Sequence, residues 1–400
     1  MKYIVILGDG MADYRQSFLG DKTPLMLANK PFIDNLAKKS EVGLVRTVPC
    51  SLKPGSDVAN LSVLGYNPEE CYSGRSPLEA ASIGIELKDT DITARANLVT
   101  LSDEQNYQDK TMIDYSAGEI STAEAGELIE YLAKHLNNEK YSLFKGISYR
   151  HCLVIDKGSL AGDLTPPHDI TKKPIKNHLP NSEQGKELLE LMVKSYDLLK
   201  DHPVNIKRVK EGKNPANSLW FWGDGTKPNL ERFYNKFSKN GGIISAVDLL
   251  KGIGKLADMK VIEVEGATGN YDTNFDGKAK ACIENLLGGL DFIYLHMEAP
   301  DECGHHGDAK NKIYSIEQID KVVETIATGL EKANEQYKML ILPDHPTPLS
   351  IMTHCSDPVP YLLYDSTNQV QGVNSYDEEQ ASSTGVFVEK GYKLIEKLFN

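Results

Sequence analysis

The stretch Met339-Leu340-Ile341-Leu342-Pro343-Asp344-His345-Pro346-Thr347-Pro348 decides the fold. Four consecutive apolar residues without polar alternation suit a strand buried on both faces, as in a parallel sheet covered by helices. The Asp-His pair then stands beyond the carboxyl end of that strand, where open α/β sheets place their chemistry. Three prolines restrict the backbone around it. The same grammar recurs along the chain. Tyr3–Leu7 runs into Gly8-Asp9-Gly10, and Phe292–Leu295 precedes Pro300-Asp301-Glu302-Cys303-Gly304-His305-His306. Further short apolar runs lie at Val42–Val48, Ile243–Val247, Val261–Val264 and Pro360–Tyr364, alternating with helical segments. Ser315-Ile316-Glu317-Gln318 reads as a capping box. It would open a helix with Ile316, Ile319, Val323, Ile326 and Leu330 on one face. This pattern predicts an α/β, doubly wound core sheet with helices on both faces.

The middle of the chain is more polar. Residues 88–212 carry helix candidates starting at the capping box Ser121-Thr122-Ala123-Glu124 and at Ser182, the second ending near His202-Pro203. A strand candidate, Tyr149–Ile155, lies between them. This segment reads as an inserted α+β cap domain, with residues 1–87 and 213–400 forming the core and Asn217–Trp222 marking re-entry to it.

Composition narrows the class. Four hundred residues are long for one domain, and the 40% hydrophobic content is enough for a substantial core. The net charge of −13, with no basic block, argues against nucleic acid and anionic membrane as partners. No stretch approaches the roughly 18 apolar residues of a membrane-spanning helix. The N-terminal apolar run is too short for a signal segment and leads straight to Asp9. Six scattered cysteines without a Cys-x-x-Cys pair read as reduced thiols. Together these predict a cytoplasmic protein acting on a small substrate, and a hinge between core and cap that must move favours a monomer or weak homo-oligomer.

Asp9, Asp301, His305, Asp344, His345 and His354 are the candidate metal ligands. Carboxylate and imidazole suit Mn²⁺, Zn²⁺, Co²⁺ or Mg²⁺. Six such groups are too many for one ion and about right for two. Paired ions commonly serve phosphoryl transfer, because they clamp both the attacking and the departing oxygen. Asp301 and His305, four apart, can share one ion, with Pro300 and Gly304 arguing for a shaped loop; His306 then points elsewhere. Cys303 and Cys355 lie within these motifs, but Asp and His already fill the ligand count. Asp13 reads as a turn or capping residue. In Lys53-Pro54-Gly55-Ser56-Asp57 the turn delivers Ser56 to a helix start, where free N–H groups favour phosphate. Ser56 is either an activated nucleophile or a plain N-cap. Ser62 is the weaker nucleophile candidate.

The ordered set Gly8-Asp9-Gly10, Gly55-Ser56-Asp57, Asp301…His305, Asp344-His345 and His354…Pro358-Val359-Pro360 resembles the alkaline-phosphatase superfamily. More closely, the chain resembles the archaeal-type cofactor-independent phosphoglycerate mutases. That likeness is carried by Pro54–Pro68, Tyr72–Ala80, Arg95–Thr100, Tyr149–Val154, Leu219–Gly225, Ser245–Gly254 and Glu265–Lys278. It implies an alkaline-phosphatase-like core and a cap that closes to exclude water. It implies that Ser56 is transiently phosphorylated while 3- and 2-phosphoglycerate interconvert at a two-metal site, in glycolysis or gluconeogenesis. One ion, Mn²⁺ by first choice, would lie on Asp9, Ser56, Asp344 and His345, and the other on Asp301, His305 and His354. No 2,3-bisphosphoglycerate would be needed. Arg150, with His151 beside it, then Arg75 and Arg95, would bind substrate anions; His168 and Lys278 are further candidates. Relatives acting on homoserine and plain metal-dependent phosphatases share the same metal motifs and stand as alternatives.

Overall fold

The computed structural model describes residues 1–162 and 164–400. The chain forms two compact units, residues 1–72 with 229–400, and residues 73–228.

The first unit is built on an eight-stranded mixed sheet. In spatial order its strands are Phe387–Val388, Glu41–Val45, Val359–Asp365, Tyr337–Leu342, Lys2–Gly8, Phe292–Met297, Gly241–Ile244 and Lys260–Ile262. The five from Tyr337–Leu342 to Lys260–Ile262 run parallel. Val359–Asp365 is antiparallel to both its neighbours. Ile4, Val5, Ile6 and Leu7 are all fully buried, so both faces of the central strand are covered, as an unbroken apolar run requires. Ile4 and Ile6 pack in one cluster with Ile316, Ile319, Val323, Ile326 and Leu330 of the helix Ala309–Lys332, and with Ala279, Cys282 and Leu286 of the helix Phe275–Leu287. Tyr3 instead meets Phe399, edge to face at 5.2 Å. The core is therefore α/β with a predominantly parallel sheet.

The second unit has its own core around a five-stranded antiparallel sheet. Ile92–Leu101 lies at its centre, paired with Arg150–Ile155 on one side and Ser218–Thr226 on the other. Tyr141–Phe144 and Met112–Asp114 complete it. The helices Thr122–Leu136 and Glu183–Leu199 begin at Ser121 and Ser182, whose hydroxyls accept the Glu124 and Gly185 amides.

Several sequence expectations are corrected here. The stretch Asn217–Trp222 is no re-entry to the core: Ser218–Thr226 is a strand of the second unit, because it completes the sheet beside Ile92–Leu101. The helix Ser76–Ser82 packs on that same sheet, so the units divide at 72/73 and 228/229 rather than at 88 and 212. Ser315 does not open a helix. The helix begins at Ala309, where the Asp308 side chain accepts the Asn311 amide, and Ser315 hydrogen-bonds back to the Asn311 carbonyl from within it. No described helix is long and apolar enough to cross a membrane.

Candidate active site

The parallel strands deliver their chemistry at one edge. Asp9 follows Lys2–Gly8 directly, with its amide held by the Met297 carbonyl at 2.9 Å. Gly10, at φ 59°, lets the loop turn tightly against its neighbours. A Cβ there would stand 2.6 Å from both Asp301 Oδ1 and Thr347 Oγ1. Its N–H donates to Asp344 Oδ1 at 3.2 Å. Asp344 and His345, just past Tyr337–Leu342, are fully buried.

Asp301 and His305 lie on a short helix, Ala299–His305, and not on an irregular loop. Pro300 is tolerated in the first helical turn, where no intrahelical N–H bond is lost. Helical spacing then brings His305 Nε2 within 3.2 Å of Asp301 Oδ2. His354 Nε2 lies 3.4 Å from Asp301 Oδ1 and 2.9 Å from His305 Nε2. The His305 Nδ1–H donates to the Met352 carbonyl at 3.1 Å, which turns its Nε2 inward. His306 is exposed. Among the described residues, Asp301, His305 and His354 form a group able to hold a cation, as do Asp9, Asp301 and His345. Cys303 and Cys355 belong to no such group among those residues.

Ser56 is the first residue of the helix Ser56–Val63, and Gly55 is its N-cap. Ser56 is therefore not the cap, and its hydroxyl is left for other work. Its Oγ is 3.2 Å from His345 Nε2. His345 Nε2 is in turn 3.4 Å from Asp344 Oδ2 and 3.6 Å from Asp9 Oδ1.

Electrostatics sets this edge apart. Burial, then the charges of Asp344, Glu298 and Asp301, raise the Asp9 carboxyl well above the carboxylate range. Burial and the neighbouring Asp301 and Glu302 push Glu298 up to about 8. Asp301 moves the other way: burial opposes its charge, but hydrogen bonds from His305 and His354 hold it well below its ordinary value. The same bond to Asp301 raises His305 to about 9, against burial. Asp9 Oδ1 is buried without a hydrogen-bond partner. An orphaned carboxylate oxygen beside other carboxylates is what a cation would satisfy.

The chain is similar to known proteins along its whole length. A family model described as 2,3-bisphosphoglycerate-independent phosphoglycerate mutase matches residues 37–205. A Geobacter sulfurreducens protein named as a probable 2,3-bisphosphoglycerate-independent phosphoglycerate mutase is 48% identical, covering 100% of both chains. The chain belongs to this mutase family. A Methanosarcina barkeri protein named as such a mutase is also 48% identical, over 99% of this chain and 98% of that one. A solved cofactor-independent phosphoglycerate mutase from Thermoplasma acidophilum superposes with TM-score 0.64 at 26% identity, over 100% and 99% of the two chains. A solved Pyrococcus horikoshii protein superposes at TM-score 0.82 and 30% identity, over 99% and 96%.

The second unit of this mutase-family chain gathers the expected arginines around one carboxylate that the sequence reading missed. Glu79 Oε1 pairs with Arg75 Nε at 3.0 Å, and Glu79 Oε2 with Arg95 Nε at 2.8 Å. Burial alone would raise the Glu79 carboxyl; Arg95, Arg75 and Arg150 overcome it and hold the group low. The Arg95 guanidinium lies over the Trp222 ring at 4.1 Å. Burial, with Arg75 and Arg150 adding to it against Glu79, brings Arg95 down to about 10. Arg150 stands exposed at the start of its strand. His151 is buried, its Nδ1 accepting the Gly146 N–H at 3.0 Å and its Nε2 unpartnered. His168 packs edge to face on Trp222 at 5.2 Å. Lys278, in the first unit, is fully buried with Nζ 3.3 Å from the His296 carbonyl oxygen.

His296, Glu298, Asn60 and Thr347 also escaped the sequence reading. His296 left one signal, an imidazole in an otherwise apolar strand, Phe292–Met297. Asp13 is more than a turn residue. It is buried, with Oδ2 2.8 Å from Lys312 Nζ.

Proposed function

We propose that this chain interconverts 3- and 2-phosphoglycerate without 2,3-bisphosphoglycerate, as an isomerase of the intramolecular phosphotransfer kind. The observation that carries the reading is the convergence of the Ser56 hydroxyl, at a helix N-terminus, with Asp9, Asp344 and His345 on the carboxyl edge of the sheet. Relatives 48% identical across essentially the whole chain bear the name of this activity. None of the relatives described above is named as a homoserine-directed enzyme or a phosphatase, so neither alternative is favoured.

The donor set fits two divalent cations. Asp9, Ser56, Asp344 and His345 would hold one, and Asp301, His305 and His354 the other; Mn²⁺ suits these oxygen and nitrogen donors, with Zn²⁺, Co²⁺ and Mg²⁺ as alternatives. When bound, such ions would stabilise charge on the phosphoryl oxygens and favour ionisation of the serine hydroxyl. The chain's own part is nucleophilic. Ser56 Oγ would form a bond to phosphorus as the bond from phosphorus to the substrate's 3-oxygen breaks, leaving glycerate with a free 3-hydroxyl. The 2-hydroxyl would then take the group back, breaking the Oγ–phosphorus bond and restoring Ser56. Amides of the first turn of Ser56–Val63 would orient the phosphoryl oxygens. Arg75, Arg95 and Arg150 would bind the carboxylate and phosphate charges, with His151 beside them. A cytoplasmic setting, a place in glycolysis or gluconeogenesis, and a monomer or weak homo-oligomer accord with this reading.

A phosphorus NMR time course of the Mn²⁺-loaded protein with 3-phosphoglycerate alone tests it. Appearance of 2-phosphoglycerate, lost in Ser56→Ala, is the expected result. Release of inorganic phosphate instead would replace the mutase with a phosphatase.

A further inference from the structure

Three neighbouring parallel strands carry Ser245, His296 and Asp9 to the same edge. Leu7 is in register with His296, and Leu295 with Ile244, so Ser245, just past Gly241–Ile244, is level with His296, and Asp9, just past Lys2–Gly8, lies two residues further along. All three are buried, two of them completely. Their hydrogen bonds run in one direction. The Val247 N–H donates to Ser245 Oγ at 3.0 Å. Ser245 Oγ also lies 3.1 Å from His296 Nδ1. The other ring nitrogen, Nε2, lies 2.8 Å from Asp9 Oδ2 and 3.4 Å from Glu298 Oε2; a carboxylate oxygen accepts, so in the neutral imidazole Nε2 carries the proton and the Ser245 hydroxyl donates to Nδ1. The other Asp9 oxygen, Oδ1, faces His345 and has no partner.

We infer that Ser245 and His296 are a positioning relay for Asp9: a backbone amide fixes the serine, the serine fixes the imidazole tautomer, and the imidazole N–H holds one carboxylate oxygen so that the other is presented to a divalent cation. The inference rests on the metal-centre reading above. A ligating carboxylate in a buried site needs its second oxygen bonded, and such outer partners typically set 10–100-fold in metal affinity. Neither residue touches the Ser56 hydroxyl in the hydrogen-bond network, so their effect passes through Asp9. His296 also belongs to a possible ligand group with Asp9 and Glu298. The serine's bond to Nδ1 and the 2.8 Å contact of Nε2 with Asp9 favour a donor over a ligand.

The test is Mn²⁺ titration of the chelator-treated chain, read by the electron paramagnetic resonance signal of free Mn²⁺, for wild type, His296→Leu, His296→Gln and Ser245→Ala. Wild type should bind two ions. In His296→Leu one of them should weaken about 10–100-fold while the other is unchanged. His296→Gln should recover most of that loss, because its amide N–H can stand where Nε2–H stood. Ser245→Ala, which removes one oxygen and serves if the histidine variants fail to fold, should weaken the same ion to a smaller extent. Unchanged affinities in His296→Leu or in Ser245→Ala would overturn the relay. So would a glutamine variant as weak as the leucine one. A third ion bound by wild type and lost in His296→Leu would also overturn it, making His296 a ligand. A wild type that binds no ion would instead remove the metal-centre reading itself.

Discussion

Asn60 Nδ2 lies 2.8 Å from Asp344 Oδ2, and the same amide nitrogen donates to the Ser56 carbonyl at 2.8 Å. One fully buried side chain thus ties the helix that carries Ser56 to the loop that carries Asp344. The Tyr294 hydroxyl donates to Asn60 Oδ1 at 2.5 Å and so fixes which way the amide faces. Asn60→Ala should lower kcat/KM by about 10–100-fold, the usual scale for a group that orients a metal-binding carboxylate. Asn60→Asp should be worse, since it sets a second carboxylate against Asp344. Steady-state kinetics with a circular-dichroism melt as folding control would check this; a fully active Asn60→Ala would refute it.

Lys312 and Asp13 form a second tie between loops of the site. Both side chains are fully buried, and Lys312 Nζ also donates to the Thr347 carbonyl at 2.8 Å. Asp13 in turn accepts the Leu349 amide at 3.1 Å. Removing one partner strands a buried charge, so Lys312→Met should destabilise the protein by about 3–5 kcal/mol. The double variant Lys312→Met, Asp13→Leu should recover part of that, since neither charge then remains. Urea unfolding midpoints of the three proteins decide the matter; a double variant less stable than the single one would count against it.

For the chelator-treated protein, stability should fall as pH rises from 6.5 to 8. Glu298 is raised from 4.5 to about 8. A raised folded-state value gives stability that is complete below the unfolded value and lost as pH climbs through the folded one. His305, raised from 6.5 to about 9, has the same sign. His151 and His296, both driven to about 3 chiefly by burial, have the opposite sign, but their window lies below 6.5. Asp9 and Glu378, also raised chiefly by burial, add to the first sign, so between 6.5 and 8 the raised groups set the direction. Glu298→Gln should flatten the fall, and added Mn²⁺ should raise the unfolding midpoint most at the alkaline end. A midpoint that climbs with pH across this window would contradict the assignment.

The strands and their terminal Asp and His residues were legible because two-sided burial writes an unbroken apolar run, and a carboxylate at its end interrupts that run abruptly. Ser56 was legible as a helix start because Pro-Gly precedes it. What escaped were residues whose meaning is set by distant partners. Asn60 reads as one polar residue inside a helix, and only the fold places Asp344 284 residues away against it. Ser315 misled because a capping-box spelling is local, whereas Asp308 had already capped a helix that starts at Ala309. Tyr3–Leu7 and Leu219–Trp222 are both apolar runs, so spelling alone could not assign the second to a different sheet.

Glu79 gives the last expectation. Its two oxygens hold Arg75 and Arg95, Arg150 acts on it electrostatically, and Arg95 is pinned from the other side by Trp222. Guanidiniums gathered this closely repel one another, and Glu79 is the charge that offsets the repulsion. Glu79→Gln preserves the shape and removes the charge. If these arginines bind ground state and transition state alike, KM should rise with little change in kcat. A loss of about 1.4 kcal/mol corresponds to about tenfold in KM. Substrate-saturation curves for wild type and Glu79→Gln separate the cases: a rise confined to KM supports an anion-binding cluster, whereas a fall confined to kcat would mean that the arginines act on the transition state instead.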